Sequence, residues 1–348
     1  MKKYFVHLSI ICLFIVLLSC NKNKYRNTQT FSMSDIQEKI QLKGEIINND
    51  EIIMPSHLFL KDSLLFTLNM RQSHHVSVFH IKDMKRIGDF IDFGGGPNEA
   101  VYVNDLQFQD SLVWVIDQSS RKANNYHLNQ FLNANEVAVP HETIKIEETF
   151  NKLLILKDRL ITNSLVFFNS RFTFYDRQGN FIENKGDLPY TGDQMTDLEI
   201  YESYSCHMVL NPGDESIFVA YVHTDLIEIY DSNGNLKTRR HGPDKFFPMK
   251  KEITDGDTRR VAGIRGKAKD AYIYPVVFED EIWTLYRGGR SIVDGFLSNR
   301  IIVFDWDGNP IRHYTTDIDF YTLAVDRKNS VFYGITLSPD YAFVKFKY

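Results

Sequence analysis

Cysteine is nearly absent: three occur in 348 residues, at positions 12, 20 and 206. Disulfides therefore contribute little here, even in an oxidising compartment where they would persist. Cys206 lies in the apolar and aromatic run Tyr204-Ser205-Cys206-His207-Met208-Val209-Leu210. That setting predicts a buried, inert thiol, with the adjacent His207 as the one feature pointing toward a nucleophile. The apolar run Leu8 to Leu18 falls short of the about 20 residues that cross a membrane as a helix. No long amphipathic helical pattern follows it. A Gly-x-Ser-x-Gly elbow, a His-Glu-x-x-His helix and a Cys-x-x-Cys pair are all missing, which removes the commonest hydrolase, zinc-protease and redox signatures. There is no excess of positive charge either. With 40 basic against 45 acidic residues the net charge is −5, a poor match for nucleic acid as a partner.

What is present begins with an export pattern. Lys2 and Lys3 precede the apolar run, and Leu17-Leu18-Ser19 closes it immediately before Cys20. A basic start, a short apolar core and a small residue before the cut describe a signal peptide over residues 1–19. Leu-Leu-Ser-Cys resembles the bacterial lipobox, which implies that Cys20 becomes the acylated first residue, tied to a membrane surface without crossing it. Removal of the signal takes Cys12, Lys2 and Lys3, changing 40 basic against 45 acidic residues to 38 against 45, a net of −7. Residues 20–42 are polar and weakly periodic and read as a lipidated tether. The first of them after Cys20 are Asn21, Lys22, Asn23 and Lys24, with no acidic run. In Bacteroidetes-type lipoproteins an acidic signal at this place resembles a mark for surface display, so its absence favours a periplasm-facing envelope location.

From about residue 43 to 348 the chain is a succession of short strands divided by turn residues every 6 to 12 positions. Fourteen per cent aromatic residues, among them 26 Phe and 18 Tyr, suit a large β core. Units begin near Pro55, Asn104, Lys152, His207, Tyr272 and Tyr321. Three repeat one turn: Tyr175-Asp176-Arg177-Gln178-Gly179-Asn180, Tyr230-Asp231-Ser232-Asn233-Gly234-Asn235 and Phe304-Asp305-Trp306-Asp307-Gly308-Asn309. Asp bonds its own turn backbone and Gly accepts positive φ, so these are hairpin turns. The last of them lacks the later Asp/Asn and closing Glu of a calcium loop. The final unit stops after three strands, and an open ring would leave exposed edges. A segment near Lys43 to Asn48 is expected to supply the missing outer strand. The fold class is thus all-β, a six-bladed β-propeller of four-stranded blades closed by an N-terminal strand; a seventh blade would require residues 241–270 to hide a degenerate unit.

Asp92-Phe93-Gly94-Gly95-Gly96-Pro97-Asn98-Glu99 resembles the Gly-x-Gly-Pro-x-Glu junction of TolB-like six-bladed propeller lipoproteins of Bacteroidetes, and more loosely that of NHL-type propellers. Weaker echoes follow later blades at Gly186-Asp187-Leu188-Pro189 and Arg240-His241-Gly242-Pro243. The resemblance implies a fold and a location rather than an activity. Ala100, where an aromatic is common, and the long 241–270 insert depart from the pattern. Pro97 and a strand follow the glycines, so Gly94, Gly95, Gly96, Pro97 and Glu99 form an inter-blade turn and not a phosphate cradle, which needs a following helix.

Propellers bind ligands where inner-strand starts converge on the axis. The candidates there are His57, Asn104, Asp105, Lys152, His207 and Tyr272. The insert from His241 to Asp270 carries eight Lys/Arg against five Asp/Glu and offers Phe246, Phe247, Lys250, Lys251, Arg259 and Arg260 as loop contacts. His74, His75 and His80 read as solvent-exposed hairpin residues rather than metal ligands. The expected function is a non-enzymatic, lipid-anchored envelope protein recruiting a protein, peptide or glycan, with no cofactor. Deleting the 241–270 loop is expected to leave folding intact and abolish recruitment. The alternative is a hydrolase or lyase using calcium at Asn104 and Asp105, which would lose activity on chelation.

Overall fold

The computed structural model describes residues 25–348 apart from 48–50, 53, 71–72, 165–169, 190–194, 257, 292 and 338–339. The signal segment 1–19, Cys20 and the first four residues after it lie outside the described residues.

Six four-stranded blades form the ring. In chain order they occupy Pro55 to Asp92, Val103 to Lys145, Phe150 to Lys185, Cys206 to His241, Tyr272 to Phe320, and Ala324 to Lys347 completed by Gly44–Ile47. Residues 250–263 form a separate two-stranded hairpin rather than a seventh blade. The burial of each blade follows its strand order. Middle strands such as Ile217–Tyr221 and Leu226–Tyr230 are buried along their whole length, because both of their faces meet a neighbouring blade. The outer strand Phe181–Lys185 is largely exposed. Six apolar clusters fill the six inter-blade seams. Two examples are Phe66, Val78, Val113 and Val115 between blades 1 and 2, and Leu58, Leu65, Ile335 and Phe343 between blades 1 and 6.

The seam between first and last blades closes as expected. Gly44–Ile47 pairs antiparallel with the last strand, Phe346 opposite Gly44 and Phe343 opposite Ile47. The tether expectation, in contrast, does not extend over residues 25–42. Gln29–Thr30 adds in parallel to the outer strand of blade 4, and Glu38–Leu42 to that of blade 5. Tyr25, Phe31 and Ile36 are buried at 1%, 4% and 1% exposure. The segment is polar because it lies on the rim, with one face in water; three apolar side chains spaced along it are enough to pin it down. It runs as a belt around blades 4, 5 and 6 before the first blade begins.

The repeated turns behave as their residues predict. Asp176, Asp231 and Asp305 each accept bonds from the backbone N–H groups two and four residues on, and from the following Asn side chain at 2.8 to 2.9 Å. The three glycines hold φ of 87°, 75° and 77°. All three lie on one face of the ring, and the inner strands start on the other, called here the mouth face.

Candidate functional site

Four of the six axial candidates converge where the sequence places them. His57, Asp105, Lys152 and His207 come from the inner strands of blades 1 to 4. Lys152 Nζ lies 3.6 Å from Asp105 Oδ2. Burial raises the Asp105 pKa against the pull of Lys152. The same burial, with Lys152 nearby, holds His207 down to about 3, and His57 falls well below its usual value for the same reasons and because His207 faces it. Both imidazoles are therefore neutral. Asn104 turns sideways, its Nδ2 donating to the Asn151 carbonyl at 2.8 Å and to Gln118 Oε1 at 3.3 Å, so it ties blade 2 to blade 3. Among the described residues two buried atoms lack a hydrogen-bond partner here, His57 Nε2 at the centre and Asn104 Oδ1 beside it in the seam between blades 2 and 3.

Tyr272 is not an axial group. Its side chain packs in the seam between blades 4 and 5 against Tyr286 and Phe304, and its hydroxyl donates to the Gly242 carbonyl. The place belongs to Tyr274, whose ring meets His57 at 4.3 Å and His207 at 5.2 Å. Strand alternation would point 272 and 274 the same way. The register shifts between Ile273 and Val276, and Tyr274 takes φ 51°, so this bulge re-aims the side chain toward the axis.

Because their folded pKa values lie below the unfolded one, His207 and His57 bind protons more readily in the unfolded chain. Their contribution is complete above about pH 6.5 and is lost as pH falls toward about 3. Stability to urea is expected to drop across pH 6.5 to 4, and His207→Asn to reduce that slope, by up to about 1.4 kcal/mol per pH unit. An unchanged slope in the variant would remove His207 from this role; His57, His223 and His313, also lowered by burial, add to the same slope.

Beside the axis, under the 250–263 hairpin, lies a cavity of about 430 Å³ lined by His223, Lys250, Asp270, Arg287, Ser291 and Phe296 together with Gly263, Ala268 and Gly295. Asp270 organises it. Its carboxylate accepts from His223 Nδ1 at 3.0 Å and Ser291 Oγ at 2.5 Å, and pairs with Arg287 Nη1 at 2.8 Å. Those contacts lower the Asp270 pKa although its burial opposes them. Lys250 lies 3.4 Å from Glu202 at the rim, and burial lowers its pKa. Tyr274 and Arg287 interact electrostatically, and Phe296 packs edge-on against Tyr321 at 5.4 Å, so cavity and axial mouth adjoin. The sequence does not announce this cavity, because its residues come from three segments far apart in the chain, one loop each of blades 4 and 5 and the insert. No motif spacing joins them.

The insert divides in two. Phe246 and Phe247 are packed, not presented: the Phe247 ring lies tilted against Tyr25 at 5.0 Å and edge-on to His241 at 4.9 Å, and the Phe246 carbonyl accepts from Thr224 and His241. Lys250 lines the cavity, whereas Lys251, Arg259 and Arg260 stand exposed on the hairpin, Arg259 paired with Glu252. Deletion of the whole insert would therefore strip packing from blades 4 and 5. The hairpin alone can be excised, since the Ile264 N–H and Met249 carbonyl at its base are 2.8 Å apart.

At the glycine-rich junction, Glu99 folds back so that its carboxylate accepts from the Gly96 N–H at 2.7 Å, and a Cβ on Gly94 would lie 2.0 Å from Glu99 Oε2. This is a carboxylate-capped turn between blades 1 and 2. His74 pairs with Asp92 at 2.6 Å and His80 is exposed. His75 departs from expectation: it is 7% exposed and bonded to the Ala100 carbonyl at 2.9 Å. Cys206 is buried, and its burial pushes the thiol pKa up. Among the described residues no three His, Cys, Asp or Glu side chains gather closely enough to hold a metal ion, and the one axial carboxylate is shared with Lys152.

A crystal structure of a Bacteroides fragilis protein described as a candidate exported protein superimposes with a TM-score of 0.50 at 10% identity, covering 88% of this chain and 98% of that one. A DUF4221 family member from Bacteroides vulgatus gives 0.49 at 10% identity, covering 87% and 98%. These likenesses concern the fold alone. No curated protein matches the chain. A family model described as a TolB-like 6-blade propeller matches residues 30–328, which take in blades 1 to 5 and the start of blade 6. With six seams, an N-terminal closing strand and that match over most of its length, the chain belongs to the TolB-like six-bladed propeller family.

Proposed function

We propose that this chain is a lipid-anchored binding protein of the cell envelope, periplasm-facing, which recruits a protein, peptide or glycan on its mouth face. The observation that carries the reading is the axial centre, where each of five blades contributes a polar side chain and the buried His57 Nε2 has no hydrogen-bond partner among the described residues. Buried polar atoms are nearly always bonded, so such atoms at an opening are groups a ligand or water can complete. Around them the loops of this face expose large apolar side chains, Phe93 at 61%, Tyr102 at 51% and Phe296 at 49%. Exposed apolar groups gathered about a polar centre mark interaction surfaces. Cys20 carries the lipid in this reading, and no cofactor is needed.

The test is face-specific crosslinking of the full-length protein in envelope membranes. The double variant Tyr102→Ser with Phe296→Ser is expected to lose its crosslinked species. Phe181→Ser with Ile182→Ser, which alters exposed residues of an outer strand, should retain it. The reverse pattern would place recruitment elsewhere on the molecule.

A further inference from the structure

The cavity beneath the hairpin has a chemical character of its own. Both oxygens of Asp270 are engaged, Oδ1 by His223 and Ser291 and Oδ2 by Arg287, so the carboxylate orients its neighbours. What faces the space is two cations and one acceptor. Lys250 keeps N–H donors beyond its contact with Glu202. Arg287 commits N–H groups to Asp270 and to the Gly295 carbonyl and retains others of its five. His223 donates through Nδ1 to Asp270, which leaves Nε2 as a hydrogen-bond acceptor on the neutral ring. Burial keeps that ring neutral by lowering its pKa. At the lip Phe296 offers an exposed aromatic face.

We propose that this cavity is a binding site for a carboxylated sugar, with the acid group held by Lys250 and Arg287, a ring hydroxyl donating to His223 Nε2 and the sugar's apolar face against Phe296. The volume, about 430 Å³, falls in the usual range for a small-ligand site. A simple inorganic anion would use the cations and leave His223 Nε2 and Phe296 idle. An extended peptide would seek free backbone groups, yet Gly263 is paired with Lys250 in the hairpin and the Gly295 carbonyl is taken by Arg287. The inference rests on the reading that the mouth face recruits ligands, and it names glycan as the class.

Calorimetric titration of the full-length protein in detergent with D-glucuronate, D-glucose, acetate and a neutral tripeptide tests it. Glucuronate is expected to bind, and the other three at least roughly tenfold more weakly, glucose and the tripeptide for want of the sugar acid and acetate for want of the ring contacts. Lys250→Gln and Phe296→Ala should each weaken glucuronate by about tenfold. Phe296 is exposed enough that its loss leaves melting unchanged, which keeps the test sound should Lys250→Gln lower it. Absence of glucuronate binding, equal binding of acetate, preference for the peptide, or full affinity in Phe296→Ala overturns the proposal. If glucuronate fails while face-specific crosslinking persists, the sugar site alone falls; loss of both removes the recruiting face as well.

Discussion

A chain that begins at residue 48 will not hold a closed ring, whereas one that begins at residue 25 will melt like the full-length protein. The shorter chain loses Gly44–Ile47, leaving the edge of Ala342–Lys347 unpaired and open to other strands. It also loses the belt. Tyr25, Phe31 and Ile36 are each almost fully buried, and each such side chain is worth about 1.5–3 kcal/mol, so the belt contributes roughly 6 kcal/mol. That is comparable to the whole stability of many domains, about 5–15 kcal/mol. Further ties go with it: the Tyr25 hydroxyl bonded to Thr224 at 2.9 Å, the Arg26 carbonyl accepting from Arg239 at 2.7 Å, and Glu38 paired with Arg312 at 2.8 Å. A chain starting at residue 43 keeps the closing strand without the belt and should fall between the two. Scanning calorimetry and size-exclusion chromatography read the series. A chain from residue 48 that stays monomeric and melts within a few degrees of full length would show that neither the belt nor the closing strand holds the ring.

The second large effect is expected at Asp225. Its carboxylate is fully buried and accepts the backbone N–H groups of Asp244 and Lys245 at 2.6 Å and of Phe246 at 2.9 Å. His241 Nε2 lies 3.1 Å away and the Tyr286 hydroxyl 3.4 Å. One side chain from blade 4 thus gathers the start of the insert, where no regular structure bonds those amides. Asp225→Ala removes the buried acceptor of three backbone N–H groups and is expected to cost about 3–5 kcal/mol in urea unfolding. Asp225→Asn keeps one acceptor oxygen and should recover part of the loss. A cost below about 1 kcal/mol for the alanine variant would mean that the amides find water or another partner.

How far the sequence foretells such features depends on how local their cause is. The turns at Asp176, Asp231 and Asp305 are legible because side chain, glycine and asparagine act within six residues. The strand that closes the ring is legible by elimination, since three strands cannot end a ring. His57, Asp105, Lys152 and His207 follow from counting inner strands. Tyr274 was hidden because a bulge breaks the alternation on which such counting rests. Phe246 and Phe247 in a basic, polar insert look like free contacts, and only the positions of Tyr25, Thr224 and Asp225 turn them inward. Residues 25–42 show the same limit: a segment that lies on a rim has the composition of one that hangs free. The His223, Asp270 and Arg287 arrangement joins loops from two blades and the insert, a relation that only the closed ring creates.

The point at which the belt begins would also limit how a lipid-anchored molecule stands. Tyr25 is locked among Tyr204, Thr224, His241 and Phe247, all on the mouth face. On the proposed acylation of Cys20, five peptide steps separate the lipid from that lock, a reach of at most about 18 Å. A leash this short would tip the propeller mouth-down, with blade 4 lowest and the opening set obliquely toward the bilayer. Ligands would then arrive sideways through the gap between protein and headgroups, which admits a slender glycan or a membrane-borne partner and turns away a bulky soluble one.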